Sequence, residues 1–366
     1  MNYKSDSFNI SVYPVWQWWE EHYQKAYGRP SRIDFDWLDR TYLGRREFLH
    51  KHFGHIGTAG SEPLPEICSQ IMPFHSMIIP VALGMEATIQ EIGGYAWKNM
   101  SGEQLENLNP VNIAESFIGE LILKQRQERI ARYGTATQMI DLASVSNNAF
   151  MMRGPDFFVD LLTDKNFAHH YLGVITETMC MAYKFITETF GHIDGFPLGN
   201  CNVTMMSPKL YDEMICQYDV RCVEYAAKIN GKEPCCDLHH CNVKTEPFAK
   251  SYRKIPGLRS LQGSYRSDIK KILETLPGVK FSAMVNPVEL LNRPISDILF
   301  DIEQCIVDGA NDLAIWDIDT ACSPEMLGEF FEKIGEISEK HNKKMSLGII
   351  PFSWEELAWE FPTYVN

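Results

Sequence analysis

Residues 279–319 read VKFSAMVNPVELLNRPISDILFDIEQCIVDGANDLAIWDID and contain two short apolar segments on either side of a longer amphipathic one. The segments near 279–286 and 312–319 are short and apolar, as the buried strands of a parallel sheet are. Between them, residues 294–308 have the apolar spacing of a helix with one buried face. A strand, a helix and a second strand in this order predict a βαβ unit.

The same alternation continues along most of the chain from about residue 72. Eight strand candidates follow from it, near residues 76–83, 137–145, 193–203, 234–241, 258–264, 279–286, 312–319 and 345–351. No Gly-x-Gly-x-x-Gly sequence follows a strand and no Walker-type loop occurs, so the common nucleotide-binding folds have no support. The pattern predicts an α/β fold, a (β/α)8 TIM-type barrel with additional N-terminal helices. We expect an aromatic-rich helical extension over residues 1–70, packed on a barrel over residues 71–366, in one structural domain.

Composition excludes several classes of partner. The 366 residues carry a formal charge of −14 and no long run of Lys or Arg, so nucleic acid is not an expected partner. No apolar segment approaches the ~18 residues of a membrane-spanning helix. The polar start of the chain lacks the order of a signal peptide, so we expect a cytoplasmic protein. The ten cysteines are therefore expected to be reduced thiols.

Cysteine and histidine lie together at the end of the fourth predicted strand. His239 and Cys241 share one face of a strand because side chains alternate, whereas His240 points to the other face and is expected to be packed. Active sites of such barrels lie at the carboxyl ends of the strands. Cys322, at the end of the seventh strand, is the expected third ligand, and Cys201, near the end of the third strand, competes with it. Two thiolates and one imidazole favour Zn²⁺ with an open coordination position.

The other cysteines are expected to act as small buried hydrophobic residues. Those in apparently helical segments are Cys68, Cys180, Cys216, Cys222 and Cys305, while Cys235 and Cys236 lie deeper in the fourth strand.

Polar residues near the strand ends are candidates for lining a substrate pocket. They are Asp194, Asn202, Asp237, Tyr265, Asn286 and Asp317. The amides of Asn202 and Asn286 rank first because they can orient a substrate without titrating. Asp237 shares the face of His239, where it could orient that ligand or pair with a Lys or Arg. No catalytic residue is assigned beyond the metal ligands.

Several stretches together resemble the uroporphyrinogen decarboxylase superfamily, in particular its zinc methyltransferase branch. The matching stretches are LHHC at 238–241, VNPVELL at 285–291 with a helix from Ile295, MSPKLY at 206–211, and Cys322 shortly before Ser323-Pro324-Glu325. They span roughly residues 75–340, and their order and separations agree with that superfamily. The resemblance implies a (β/α)8 barrel with N-terminal helices.

The resemblance also implies a chemistry. The branch includes methylcobamide:coenzyme M methyltransferases, in which a His-x-Cys pair and a later cysteine hold zinc; these positions match His239, Cys241 and Cys322. Its members exchange a methyl group with the cobalt of a corrinoid (methylcobalamin) that a partner protein carries. We also expect a small-molecule methyl donor or acceptor as a partner, and a possible homo-oligomer. The chain departs from the family at Asn242, where glycine is usual, and at residues 319–323, which replace a glycine-rich loop.

Two alternatives stay open. A decarboxylase without metal needs clustered arginines for a substrate with many carboxylates. Residues 13–19 resemble that enzyme's N-terminal segment, but the arginines expected after the tryptophans are absent from this sequence, and the charge of −14 suits such a substrate poorly. The second alternative is a barrel that binds a corrinoid protein without catalysis.

Overall fold

The architecture comes from a computed structural model, which describes residues 6–23, 34–57, 63–71, 75–89, 95–191, 193–241 and 244–352. In these ranges the strands are β1 (Ser7–Pro14), β2 (Gln70–Ile71), β3 (Ala87–Ile89), β4 (Tyr95–Trp97), β5 (Thr137–Gln138), β6 (Phe196–Gly199), β7 (Cys236–His239), β8 (Leu258–Ser264), β9 (Lys280–Val285), β10 (Asp312–Ile318) and β11 (Lys344–Ile349).

Helices make up most of the remaining structure. They are α1 (Trp16–Tyr23), α2 (Phe35–Phe53), α3 (Leu64–Cys68), α4 (Ile78–Ala82), α5 (Gly102–Glu106), α6 (Phe117–Tyr133), α7 (Val145–Arg153), α8 (Asp156–Thr163), α9 (Lys165–Phe190), α10 (Pro208–Met214), α11 (Cys216–Asn230), α12 (Ala249–Tyr252), α13 (Ile269–Thr275), α14 (Pro287–Asn292), α15 (Ile295–Asp308) and α16 (Pro324–Lys340). Among them, no helix is long and apolar enough to cross a bilayer.

The chain divides into two compact units. The first takes its described residues from the ranges 1–68, 242–246 and 260–357, and the second from 69–241 and 247–259. The expected boundary at residue 70 stays a prediction.

In the first unit, parallel strands lie in the order β11-β1-β10-β9-β8. Strand β1 belongs to the stretch expected to be a helical extension, although α1, α2 and α3 are helical as expected. Phe8, Ile10 and Val12 alternate along β1 and are buried, and the side chain of Asn9 donates to Asp312 Oδ1 at 2.9 Å. As a result, β1 separates β10 from β11, two strands that would be neighbours in a simple sequential barrel.

The second unit holds β6 and β7 as a parallel pair, with the small parallel pair β2 and β5 and the antiparallel pair β3 and β4. The 26-residue helix α9 buries an apolar stripe through its whole length, for example at Leu172, Ile175 and Met179. This stripe explains the length of the helix, because tertiary burial supplies most helical stability.

The structure confirms the α/β class and six of the eight predicted strands, β6 to β11. The prediction of a strand over 76–83 is wrong, because the segment forms a 3-10 turn and helix α4. A short apolar run has no periodicity that separates a buried strand from a buried helix. The prediction over 137–145 is mostly wrong, since β5 has two residues and Ser144 already caps α7.

Candidate metal centre

Strands β6 and β7 bring their carboxyl ends side by side. In the parallel register, Gly199 is opposite His239, and the backbone N–H of Asn200 donates to the His239 carbonyl at 2.8 Å. Cys201 and Cys241 each lie two residues beyond this matched pair. The paired strands therefore end together, and Cys201, with helical backbone angles, begins the turn that follows β6.

Cys201, His239 and Cys241 form a group that could hold a metal ion. One ligand atom from each residue lies within 4.8 Å of the other two, and His239 Nε2 is 3.2 Å from Cys241 Sγ. Tetrahedral zinc, at about 2.3 Å from sulfur and about 2.1 Å from nitrogen, holds its ligands roughly 3.5–3.8 Å apart. All three residues are half-buried. The donor set and its spacing fit zinc, and a small molecule could reach the group.

The three side chains also act on one another's protonation. The hydrogen bond from Cys241 is the largest influence on Cys201, and it lowers the pKa of the Cys201 thiol. Burial works in the opposite direction, and the neighbouring His239 adds to the lowering. The cluster therefore favours a thiolate at Cys201, the form in which cysteine binds metals.

The turn that carries Cys201 is held by the start of α7. Asn202 is buried, its backbone N–H donates to Asn147 Oδ1 at 3.0 Å, and its side-chain amide donates to the Ser146 carbonyl at 2.7 Å. The Ser146 hydroxyl donates back to Asn202 Oδ1 at 2.8 Å. Both ends of the Asn202 amide therefore have partners within the protein, and its expected role in substrate binding stays a prediction.

A buried carboxylate holds the other side of the same turn. Asp219 Oδ2 on α11 accepts from the Asn200 side chain at 2.9 Å and from the Tyr211 hydroxyl at 2.7 Å. Burial raises the pKa of Asp219 to about 6, although these two hydrogen bonds oppose the shift. Asn200 is itself fully buried, so these hydrogen bonds form out of contact with water.

His240 is packed on the opposite face of β7 from His239, as alternation predicts. Its ring lies against Phe248 and Tyr252, with Nδ1 at 2.5 Å from the Tyr252 hydroxyl. Burial lowers the pKa of His240 to about 3. The neutral ring serves as a core side chain.

Asp194 and Asp237, both expected in the pocket, share the guanidinium of Arg259. Arg259 Nη1 is 2.5 Å from Asp194 Oδ2, and Arg259 also pairs with the Asp237 carboxylate. Asp194 precedes the first residue of β6, so it lies at the amino end of the strand, opposite to Cys201. Their role in substrate binding stays a prediction.

Three other expected pocket residues belong to the first unit. Asn286 caps α14 by accepting from the Val288 backbone N–H at 3.0 Å. The Tyr265 hydroxyl bonds to Glu289 and accepts from Arg293 at 2.6 Å, and burial raises its pKa. Asp317 is exposed with φ of 58° where the pairing of β1 and β10 shifts register.

Cys322, the expected third ligand, also belongs to the first unit. It is fully buried, its N–H donates to the Asp319 carbonyl at 3.0 Å, and its carbonyl accepts from Trp18 Nε1 at 2.7 Å. Burial raises the pKa of its thiol to about 11. Its assignment as a ligand stays a prediction.

Sequence reasoning missed the residues that hold the Cys201 turn, namely Ser146, Asn147, Asn200 and Asp219. The polar run from Ser144 to Asn148 at a helix start was the available signal. Ser144 is the N-cap of α7, and such polar runs are ordinary at helix starts. Nothing local distinguishes a capping residue from one that supports a distant cysteine.

The fold and the cluster define an α/β protein with a cysteine–histidine group that could hold a metal ion. Comparisons with protein-family models and with curated protein sequences found no match. Among solved structures, a methyltransferase from Methanosarcina mazei has a similar fold, with a TM-score of 0.59. The match covers 92% of this chain and 94% of that chain at 13% sequence identity. The two proteins therefore share a fold over nearly their whole lengths.

Proposed function

We propose that this chain is a zinc-dependent methyltransferase that exchanges a methyl group between a small molecule and the cobalt of a corrinoid protein. The observation that carries the proposal is the convergence of two thiols and an imidazole at the ends of β6 and β7. The fold shared with a methyltransferase supports it, as does the sequence motif that contains His239 and Cys241. Three soft ligands with an open position are typical of catalytic zinc.

The scaffold in this proposal is a barrel of the (β/α)8 type. Parallel strands β6 to β11 joined by helical segments support it, and the placement of β1 between β10 and β11 is this chain's own variation. The partners in the proposal are a corrinoid protein and a small methyl donor or acceptor. A cytoplasmic location and a homo-oligomer remain expectations from the sequence.

His239 and Cys241, with a second thiolate, would hold the metal. Zinc, when bound, supplies Lewis acidity and lowers the pKa of a thiol at its open position. The protein's own part is to hold the ligands at the strand ends, where His240 and Asn200 anchor the backbone on either side. The half-buried cluster lets a small substrate enter while it limits contact with bulk water.

The direction of transfer selects the substrate class. With a thiol acceptor, the sulfur loses its proton and bonds to the methyl carbon as the cobalt–carbon bond breaks, and the electron pair stays on cobalt. With a methoxylated or methylated donor, cobalt(I) takes the methyl group and the donor heteroatom gains the bonding pair and a proton. The two directions differ in which cobalt state is consumed.

Metal analysis of the purified protein tests the proposal. We expect about one zinc per chain in the wild type, loss of the zinc in Cys241→Ala, and retention in the control Cys235→Ala. Cys235 lies next to the same strand and is also half-buried, but its sulfur is outside the cluster. Absorbance changes of methylcobalamin with small thiols, and of cob(I)alamin with methylated donors, then report the direction.

Each alternative corresponds to a distinct result. A wild type without zinc that decarboxylates a porphyrinogen would replace the proposal with the metal-free decarboxylase. A zinc protein that binds a corrinoid protein but transfers no methyl group to or from any donor or thiol would be a binding barrel.

A further inference from the structure

The geometry points to Cys201, rather than Cys322, as the second thiolate ligand of the metal centre, with Asn147 as the residue that positions it. This inference rests on the proposed function, since it assigns the ligand set of that same site. It departs from the ligand set that the sequence resemblance implies.

Two neighbouring strand ends supply the whole donor set. Cys201 and Cys241 each follow the matched pair Gly199 and His239 by two residues. Paired strands lie about 4.8 Å apart, so the two segments leave the sheet close together, and Cys201, with helical backbone angles, begins the turn that follows β6. The ligand atoms of Cys201, His239 and Cys241 all lie within 4.8 Å of one another.

Asn147 holds the backbone beside Cys201. Its Oδ1 accepts from the backbone N–H of Asn202, the residue after Cys201, at 3.0 Å. A hydrogen bond that fixes the backbone next to a ligand positions the ligand, as the outer hydrogen bonds of metal sites do.

The rest of the turn is equally constrained. Ser146 bonds to both ends of the Asn202 amide, and Asn200 is tied to Asp219 and to the His239 carbonyl. The residues before and after Cys201 are therefore fixed by buried hydrogen bonds, while the cysteine itself is half-buried. Such an arrangement holds Cys201 in place, so that metal binding requires little rearrangement of the turn.

Metal titration of metal-free protein tests the ligand set. Zn²⁺ is titrated against a competing chelator, and Co²⁺ is titrated to read its sulfur-to-cobalt absorption. We expect Cys201→Ala to bind Zn²⁺ at least about 100-fold more weakly, a larger loss than the usual effect of an outer hydrogen-bond partner. Its cobalt absorption should fall to about half, because one of two thiolates is gone. Cys322→Ala and the control Cys235→Ala should match the wild type.

Asn147→Ala separates positioning from ligation. We expect about 10–100-fold weaker Zn²⁺ binding with an unchanged sulfur-to-cobalt absorption, since both thiolates still bind. Melting temperatures of the metal-free proteins check folding, and Cys201→Ser replaces Cys201→Ala if the latter melts early. Wild-type affinity in Asn147→Ala would overturn its positioning role.

Two results would overturn the ligand assignment. They are wild-type affinity in the Cys201 variants, or an equal loss in Cys322→Ala. A wild type that binds neither ion would instead overturn the proposed function, so the two failures are distinguishable.

Discussion

The turns after β6 and β10 each carry a cysteine a few residues beyond a strand, but their structures differ. Cys201 is half-buried beside His239 and Cys241, and its neighbours Asn200 and Asn202 are held by side-chain hydrogen bonds. Cys322 is fully buried, and the hydrogen bonds that hold it use its own backbone N–H and carbonyl.

The difference separates a cysteine whose sulfur lies beside other metal-ligating groups from a cysteine that is packed in the core. In the β6 turn, neighbouring polar side chains hold the backbone and leave the sulfur among other donors. In the β10 turn, Trp18 donates to the Cys322 carbonyl and the thiol lies in the core, where burial raises its pKa to about 11. A cysteine at a strand end is therefore a ligand candidate only when the surrounding structure leaves its sulfur beside other donors.

The largest expected effect concerns the buried carboxylate behind the β6 turn. The pKa of Asp219 is about 6 in the folded protein against an ordinary value of 3.8. The folded state thus binds this proton more tightly, so the free energy of unfolding falls as pH rises from about 4 to about 6. Above about pH 6, the free energy of unfolding is lower by about 3 kcal/mol than it is below about pH 4. Asp219→Asn should remove this pH dependence and be up to about 3 kcal/mol more stable at pH 7.

Urea unfolding of the wild type and Asp219→Asn at several pH values between 4 and 8 measures the difference. Subtracting one profile from the other cancels the titration of groups common to both proteins. Parallel profiles would mean that the pKa of Asp219 is not raised. The account of the β6 turn as one supported by a buried carboxylate of raised pKa would then be wrong.

An intermediate effect is expected at the β10 turn. Trp18→Phe removes the hydrogen bond to the Cys322 carbonyl and part of a fully buried ring, so we expect a loss of about 2 kcal/mol in the free energy of unfolding. Zinc affinity should stay within twofold of the wild type. Urea unfolding and zinc titration measure both, with the exposed Trp97→Phe as control. Weaker zinc binding without loss of stability would restore Cys322 as a ligand candidate.

The smallest effect is expected at the amino end of β6. Asp194→Asn weakens an exposed ion pair with Arg259, which should cost no more than about 1 kcal/mol in the free energy of unfolding and leave zinc binding unchanged. Urea unfolding and zinc titration test this. More than tenfold weaker zinc binding would show that the metal centre depends on the amino end of β6.

Much of the fold was predictable from local patterns. The segment between β9 and β10 alternates as a βαβ unit should, and β6 to β11 fall where apolar runs predicted them. Strand β1 was missed because the aromatic-rich stretch that contains it, including the tryptophans just after it, was predicted to be a helical extension. The alternating burial of Phe8, Ile10 and Val12 was the signal, visible in the sequence as a period of two.

The candidate site was also predictable in part, because side chains alternate along a strand. His239 and Cys241 share a face by alternation alone, and the structure keeps them together at 3.2 Å. Asn202 and Asn286 are both asparagines near strand ends, yet one holds a turn and the other caps a helix. The two residues have the same type and a similar position in the sequence, and only their hydrogen-bond partners show that their roles differ.

By itself, the sequence determined the α/β class and the His239–Cys241 pair, because both follow from periodicities that act over a few residues. The tertiary structure decided which cysteine stands beside that pair and where β1 enters the sheet. Both depend on the register between segments distant in the chain, Gly199 with His239 and Val12 with Ile315. Register is set by which faces become buried together, and no local pattern contains that information.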